Sequence, residues 1–125
     1  IIRSRAYYLH LWTLYLDAGL LTPLVAEVEG TLVGGLFLFH QFRRSWYLYV
    51  MSGAEHRDKM PNHLLQWEAI RHAKAAGCLR YDMWGAPDHF NEQDRMWGVY
   101  RFKRGFGGSL MRSAGAWDKV YHPML

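Results

Sequence analysis

The sequence is poor in cysteine and lacks long apolar runs. Its single cysteine, Cys78, excludes an internal disulfide and fits a protein of the reducing cytosol. No run of about 18 apolar residues occurs, so the sequence predicts no helix that crosses a membrane. The longest apolar run, Leu32–Phe39, has the length of a strand. We therefore expect a cytoplasmic protein.

Motifs for covalent and metal-dependent catalysis are absent as well. The sequence has no Gly-x-Ser-x-Gly nucleophile motif, and its seven histidines do not follow the spacing of a zinc-binding helix. We expect no metal site. Cys78 begins a predicted buried strand, which favours a core role over a nucleophile. Asp82, at the end of that strand, is either a base or the cap of a turn, and the cap is favoured.

The sequence has 125 residues, of which half are hydrophobic and many are aromatic, enough for one domain with a core. The chain opens with Ile1 rather than Met and carries no signal-peptide pattern, so we interpret it as a segment of a longer protein. Fifteen Lys and Arg against eleven acids give a net charge of +4. That charge suits an anionic partner such as RNA, a nucleotide or a phosphorylated lipid, or it is an ordinary solvated surface.

Hydrophobic periodicity and turn residues predict an α/β layout. A helix with apolar residues from Tyr8 to Leu16 ends near Gly19. Three strands follow at 24–28, 32–42 and 46–52, separated by turns at 29–30 and 43–45. A helix at 63–76 is capped by Asn62 and ends at Gly77. The last elements are a strand at 78–84, a short helix from Asp94 to about Lys103, and a strand at 109–117. The pair Gly34-Gly35 predicts a bulge or a close backbone approach. A meander followed by a crossover helix predicts a mixed sheet flanked by helices.

This order resembles the later part of the GNAT-type N-acetyltransferase fold. In such acetyltransferases, a glycine-rich loop before the central helix presents backbone N–H groups to the coenzyme A pyrophosphate. The matching stretch here, Ser52–Asn62, has no Gly-x-Gly, and Pro61 offers no N–H. We therefore do not expect coenzyme A as a cofactor. Arg57 and Lys59 can bind phosphate or carboxylate, or belong to a plain charged loop.

The second candidate site is Arg101–Gly108, where a predicted helix ends in a glycine-rich stretch. Glycine lets the backbone approach a ligand closely. Phe102 and Phe106 are four residues apart, so both can point inward and direct Lys103 outward. A lysine in such a place can stabilise an oxyanion during acyl transfer. The competing interpretation is an ordinary exposed lysine after a helix.

Three strings together resemble the Fem (FemA, FemB, FemX) aminoacyltransferases. They are MPNHLLQWEAI at 60–70, GCLRYDMWGAPD at 77–88 and WGVYRFKRGFGG at 97–108. The resemblance runs along nearly the whole chain, from Tyr7-Tyr8 to Asp118. It implies a GNAT-like domain over residues 1–125, the second domain of a two-domain enzyme.

The resemblance also implies a reaction. Such enzymes move an amino acid from aminoacyl-tRNA to the stem peptide of a peptidoglycan precursor, without coenzyme A. Phe102 and Lys103 match the pair associated with the aminoacyl-tRNA end and the transfer intermediate. Tyr7 and Tyr8, and more weakly Tyr49, match tyrosines that bind the muramyl-peptide precursor.

The partners expected from this resemblance are aminoacyl-tRNA, a lipid-linked or UDP-linked muramyl peptide, and a preceding domain. A lipid-linked acceptor would place the enzyme at the inner face of the membrane. Arg57 is a further candidate for substrate binding. The apolar face left by a missing domain would allow the segment to form a dimer.

Two other functions stay open from the sequence. The fold order also suits an acyl-coenzyme A-dependent N-acyltransferase. The charge suits a non-catalytic module that binds RNA or the precursor.

Overall fold

The computed structural model describes residues 3–119, and the chain folds as two compact units that meet in sequence between Gly85 and Ala86. The first unit contains α1 (Arg5–Asp17), β1 (Leu21–Val28), β2 (Thr31–Gln41), β3 (Arg44–Ser52), a short 3-10 helix (Arg57–Lys59), α2 (Pro61–Ala75) and β4 (Arg80–Asp82). The second unit contains α3 (Trp97–Arg104). No helix between residues 3 and 119 is long and apolar enough to cross a membrane.

The first unit is built on a four-stranded sheet in the order β1-β2-β3-β4. β1, β2 and β3 form the predicted antiparallel meander, and β4 pairs with β3 in parallel after the crossover through α2. The predicted mixed sheet flanked by helices is therefore confirmed.

The core lies between the sheet and α2. Leu36 and Leu38 of β2 are almost fully buried and pack with Leu65 and Ala69 of α2. Successive side chains of a strand point to opposite faces. The residue between these two leucines, Phe37, therefore points away from α2, and its ring stacks on Trp12 of α1.

Gly34 marks the predicted close approach between β2 and α2. A Cβ at Gly34 would lie 3.1 Å from Cδ1 of Leu65 and 3.2 Å from the carbonyl oxygen of Met51. A Cβ at Gly35 would meet its nearest atom, the carbonyl oxygen of Leu24, at an ordinary 3.6 Å. Only the first glycine of the pair is thus required by packing.

Both strand pairings of β2 contain a bulge. The β1–β2 register shifts between Ala26 and Glu27, so Val33, next to the glycine pair, is skipped. The β2–β3 register shifts as well, because Phe37 pairs with Tyr49 while Leu38 pairs with Tyr47. The predicted bulge near the glycines is confirmed.

The predicted C-terminal ends of the helices, at glycines, are confirmed, but the two predicted N-terminal caps, Asn62 and Asp94, are wrong. Gly19 and Gly77 follow α1 and α2 with φ of 67° and 79°, as predicted. Asn62 is not a cap: α2 begins at Pro61, which suits the first helical position, after Met60 in a left-handed conformation. Asp94 does not cap α3 either, since its carboxylate accepts a hydrogen bond from the Met96 N–H at 2.7 Å in the turn before the helix.

Two strand predictions and one turn prediction need correction. The strand expected at 78–84 is only Arg80–Asp82, because the backbone turns left-handed at Trp84, with φ of 61°. The turn predicted at 43–45 lies at 42–43 instead, since Arg44 and Ser45 already pair with β2 and Phe42 is left-handed, with φ of 55°.

The strand expected at 109–117 is also absent: this stretch is irregular. Within residues 3–119, the sheet that would have to pair with it contains β1 to β4 alone. A single apolar segment without a hydrogen-bonded neighbour does not form a strand.

We predict that Gly34→Ala destabilises the protein by about 1–3 kcal/mol, because the new methyl group presses on Leu65 and on a backbone oxygen that cannot move aside. Urea unfolding measures the change. The matched control, Gly35→Ala, changes the free energy of unfolding by less than about 1 kcal/mol in either direction. Equal losses in both variants would show that the close approach at Gly34 is absent.

Candidate functional site

Aromatic side chains cluster where α1 lies on the sheet. We call Tyr7, Tyr8, Trp12, Phe37 and Tyr49 the aromatic cluster. The ring centroids of Tyr8 are 5.6 Å from Tyr7, 5.5 Å from Trp12 and 5.5 Å from Tyr49. Trp12 stacks on Phe37 at 4.4 Å. The three tyrosines proposed from the sequence as precursor-binding residues therefore lie side by side.

Helix spacing and a bulge explain this arrangement. Tyr8 and Trp12 are one turn apart on α1 and lie on the same side of the helix. Ser4 begins the helix, and its hydroxyl accepts a hydrogen bond from the Tyr7 N–H at 3.2 Å. On the sheet, the bulge in β3 changes the side on which Tyr49 emerges, so that it meets Tyr8.

The cluster is open on one side and offers polar groups. Tyr7 is 48% exposed, while Tyr8 and Tyr49 are half-buried. Burial raises the pKa of Tyr49 above its ordinary value of 10.0, and the nearby phenolic groups of Tyr8 and Tyr7 raise it further. The phenol of Tyr49 is thus a neutral hydrogen-bond donor and acceptor at physiological pH.

The cluster also carries a charge and a buried donor. The guanidinium of Arg3 lies 5.8 Å from the centre of the Tyr7 ring, within cation–π range. The indole N–H of Trp12 is buried and has no hydrogen-bond partner in the part of the chain that the structure describes.

An apolar groove continues from the cluster along the same strands. The groove has a volume of about 330 Å³, and Phe37 belongs both to its lining and to the aromatic cluster. Its other side chains include Val25, Leu32 and Met51, which are between 48% and 63% exposed. The groove is an apolar surface beside a polar, aromatic one, the combination that amphiphilic ligands bind.

Arg57 does not join the tyrosines. It begins the short 3-10 helix before α2, and its Nε donates a hydrogen bond to the carbonyl oxygen of Gly53 at 3.4 Å. In the same loop the N–H groups of Lys59 and Met60 donate to the carbonyls of His56 and Arg57, each at 3.0 Å. These backbone donors are therefore used inside the loop.

The second unit carries the other candidate residues. Phe102 and Lys103 lie in the last two turns of α3, and the rings of Phe102 and Phe106 meet edge to face at 5.3 Å. The predicted inward anchoring of both phenylalanines agrees with their half-buried state. Lys103 is also half-buried rather than fully exposed. The chain continues through Gly107, whose φ is 76°.

The fold is the acetyltransferase-like fold that the sequence predicted. The chain resembles aminoglycoside 6'-N-acetyltransferase AAC(6')-IG from Acinetobacter haemolyticus with a TM-score of 0.71 at 15% identity, covering 98% of this chain and 86% of that one. It resembles AAC(6')-Iy, solved with a coenzyme A bisubstrate analogue, with a TM-score of 0.71 at 12% identity, covering 94% and 82%. At these identities the likeness shows the fold alone.

Sequence comparison shows the family to which the chain belongs. The FemAB family is matched over residues 25–125, and the chain belongs to it. Proteins named lipid II:glycine glycyltransferase are 32% identical over 100 residues in Staphylococcus epidermidis and 31% identical over 97 residues in Staphylococcus aureus, covering 80% and 78% of this chain. The crystal structure of FemX matches with a TM-score of 0.58 at 26% identity, covering 82% of this chain and 23% of that one.

The chain spans about a quarter of the length of these relatives, 24% and 23% of the two glycyltransferases. The expectation that it is the second of two domains stays a prediction.

Sequence reasoning missed two members of the cluster, Trp12 and Phe37. The sequence predicts Trp12 only as part of the apolar stripe of α1, and Phe37 only as part of a strand. The signal for Trp12 was its spacing of four residues from Tyr8. Phe37 carried no such signal, because its contact with Trp12 depends on how α1 crosses the sheet.

We predict that Tyr8→Phe lowers the pKa of Tyr49 toward its ordinary value, because one of the phenolic groups that raises it is removed. Titration of the tyrosine Cζ resonances by NMR measures the shift. Tyr15→Phe is the control: it lies on the same helix, but its ring contacts Phe39. A pKa of Tyr49 that does not move in Tyr8→Phe would contradict the cluster.

Proposed function

We propose that this chain is part of an aminoacyltransferase that moves an amino acid from aminoacyl-tRNA to the stem peptide of a peptidoglycan precursor. Membership of the FemAB family and the names of the glycyltransferase relatives support this assignment. The structural observation that carries it is the 5.5 Å contact between Tyr8 and Tyr49. It joins residues from α1 and β3 into one surface, where the resemblance expects the precursor.

The aromatic cluster suits the acceptor chemically. A muramyl peptide combines sugar, amide and carboxylate groups, which the tyrosine hydroxyls and the adjacent Arg3 can bind. The apolar groove beside the cluster suits an aliphatic part of the same ligand. If the acceptor is lipid-linked, the enzyme works at the inner face of the membrane.

The transfer needs little activation, because an aminoacyl ester is already reactive. The neutral acceptor amine attacks the ester carbonyl and forms a C–N bond. The ester C–O bond then breaks, and the proton lost by the amine leaves with the ribose hydroxyl. A cation near the oxyanion of the tetrahedral intermediate lowers the barrier by about 3–4 kcal/mol. We assign this role to Lys103 and the placement of the aminoacyl end to Phe102.

The loop before α2 supports a donor other than coenzyme A. A pyrophosphate at a helix N-terminus needs several backbone N–H groups that point outward. Here Pro61 has no N–H, and those of Lys59 and Met60 are donated to carbonyls of the same loop. The loop holds two cations, Arg57 and Lys59, balanced by two carboxylates, Glu55 and Asp58, and Lys59 Nζ lies 3.6 Å from Asp58 Oδ2. The exposed side chain of Arg57 is therefore the group of this loop that we assign to the phosphates of tRNA.

We predict that Lys103→Ala, in the full-length protein, lowers kcat for transfer from charged tRNA by about 100- to 1,000-fold. Lys74→Ala is the matched control, because Lys74 also occupies the last turn of a helix, α2, but lies in the first unit. Unchanged turnover in Lys103→Ala would show that the lysine has no catalytic role.

Binding measurements made beside the transfer assay separate the competing functions. Tight binding of coenzyme A by calorimetry, with acyl transfer from its thioester, would support an N-acyltransferase instead. Salt-dependent binding of tRNA by the full-length protein without any transfer would support a non-catalytic binding module.

We predict that Tyr49→Phe raises KM for the precursor by about five- to tenfold with little change in kcat, because one hydrogen bond to the bound acceptor is lost. Steady-state kinetics with varied precursor measures the effect. Tyr15→Phe serves as the control on the same face. An unchanged KM in Tyr49→Phe would remove the cluster from the acceptor site.

A further inference from the structure

A second group of polar side chains lies on the α2 face of the sheet. Thr22 of β1 places its hydroxyl oxygen 3.2 Å from Nε2 of His40 and 3.4 Å from Nε2 of His72. His40 of β2 places its Nδ1 3.0 Å from the hydroxyl of Ser45. Ser45 is fully buried, and its hydroxyl donates to the carbonyl of Phe39 at 2.9 Å. This chain of contacts connects three strands to the last turn of α2.

The buried hydroxyl of Ser45 sets the direction of each hydrogen bond in this group of side chains. A hydroxyl has one proton, and that of Ser45 goes to the Phe39 carbonyl. Ser45 must therefore accept from the Nδ1–H of His40. The Nε2 of neutral His40 is then an acceptor, so Thr22 donates to it. In the remaining contact, the Nε2–H of His72 donates to the hydroxyl oxygen of Thr22.

We propose that this set of hydrogen bonds is a proton-sensitive link, in which the Thr22 hydroxyl makes its full set of bonds between the sheet and the last turn of α2 only while His40 is neutral. A proton on Nε2 of His40 turns this acceptor into a donor, so the Thr22 oxygen would have to accept from both rings while its own proton loses its acceptor. The hydroxyl could no longer donate to His40, and the contact between the two rings, 5.8 Å apart, would become repulsive whenever His72 is charged.

The surroundings of His40 support a low proton affinity. Burial lowers the pKa of His40 below 6.5, and the nearby His72 lowers it further. The other titratable group facing it is Cys78, just after α2, with Sγ 3.9 Å from Nδ1. From β1 and β3 its ring is within hydrogen-bonding distance of the hydroxyls of Thr22 and Ser45.

The sign of the pH effect follows from this shift. The unfolded chain binds a proton at His40 more readily than the folded chain does. The stabilising contribution is therefore complete above pH 6.5 and is lost as the pH falls through the lower pKa of the folded state.

Long-range ¹H–¹⁵N NMR of the histidine rings tests the proton positions in the unmodified chain. We expect His40 at pH 8 to carry its proton on Nδ1, and its pKa to rise in His72→Gln while staying unchanged in His10→Gln. A proton on Nε2 at pH 8 would overturn the proposal, and so would a pKa of His40 that does not respond to His72→Gln.

Amide hydrogen exchange tests the link itself. In Thr22→Val, protection of the last turn of α2 at pH 7.5 should fall about fivefold, the effect of one hydrogen bond, whereas Thr22→Ser should keep it. Below the pKa of His40, Thr22→Val and the unmodified chain should be equally protected. The same difference at both pH values would show that Thr22 has a structural role without any dependence on the proton.

Discussion

The bulge at Leu48 is the constraint on which the candidate site depends. A sheet packed on both faces needs side chains on each side, and a regular strand would place Tyr47 and Tyr49 on the same face. Because Leu48 is skipped in the pairing with β2, these two tyrosines emerge on opposite faces. Tyr47 packs against the α2 core and donates a hydrogen bond to the Met83 carbonyl, while Tyr49 meets Tyr8. One extra residue thus lets β3 serve the core and the aromatic cluster.

On the other face, close packing of α2 brings polar groups into the core, and each requires a partner. Gln66 is buried, and its side-chain carbonyl accepts a hydrogen bond from the Tyr81 hydroxyl at 2.7 Å. Burial raises the pKa of Tyr81, so the hydroxyl keeps the proton that it donates. Ser45 and His40 follow the same rule further along the sheet, where the buried Ser45 hydroxyl donates to the Phe39 carbonyl and has His40 as its second partner. Polar groups on this face are ordered because they cannot reach water.

The sequence predicted the features that depend on local periodicity and missed those that depend on a neighbour. The apolar run of β2 and the glycines after α1 and α2 have local causes, and the structure confirms them. The strand expected at 109–117 failed because strand formation needs a paired neighbour. In the site, no sequence pattern indicates that Leu48 is skipped in the pairing, so only the family resemblance placed Tyr49 with Tyr8. Asn62 failed as a cap because Pro61 already begins the helix.

The acyl donor cannot be argued from the fold, because one fold carries many chemistries. The aminoglycoside acetyltransferases that share this fold are only 12% and 15% identical to the chain. What distinguishes donors is the loop before α2, where a coenzyme A enzyme needs outward backbone N–H groups. In this chain, a left-handed Met60 followed by Pro61 begins the helix, and the preceding N–H groups bond within the loop. The same two residues that make Asn62 fail as a cap thus also decide which backbone N–H groups of this loop point outward. That the donor is not coenzyme A stays a prediction.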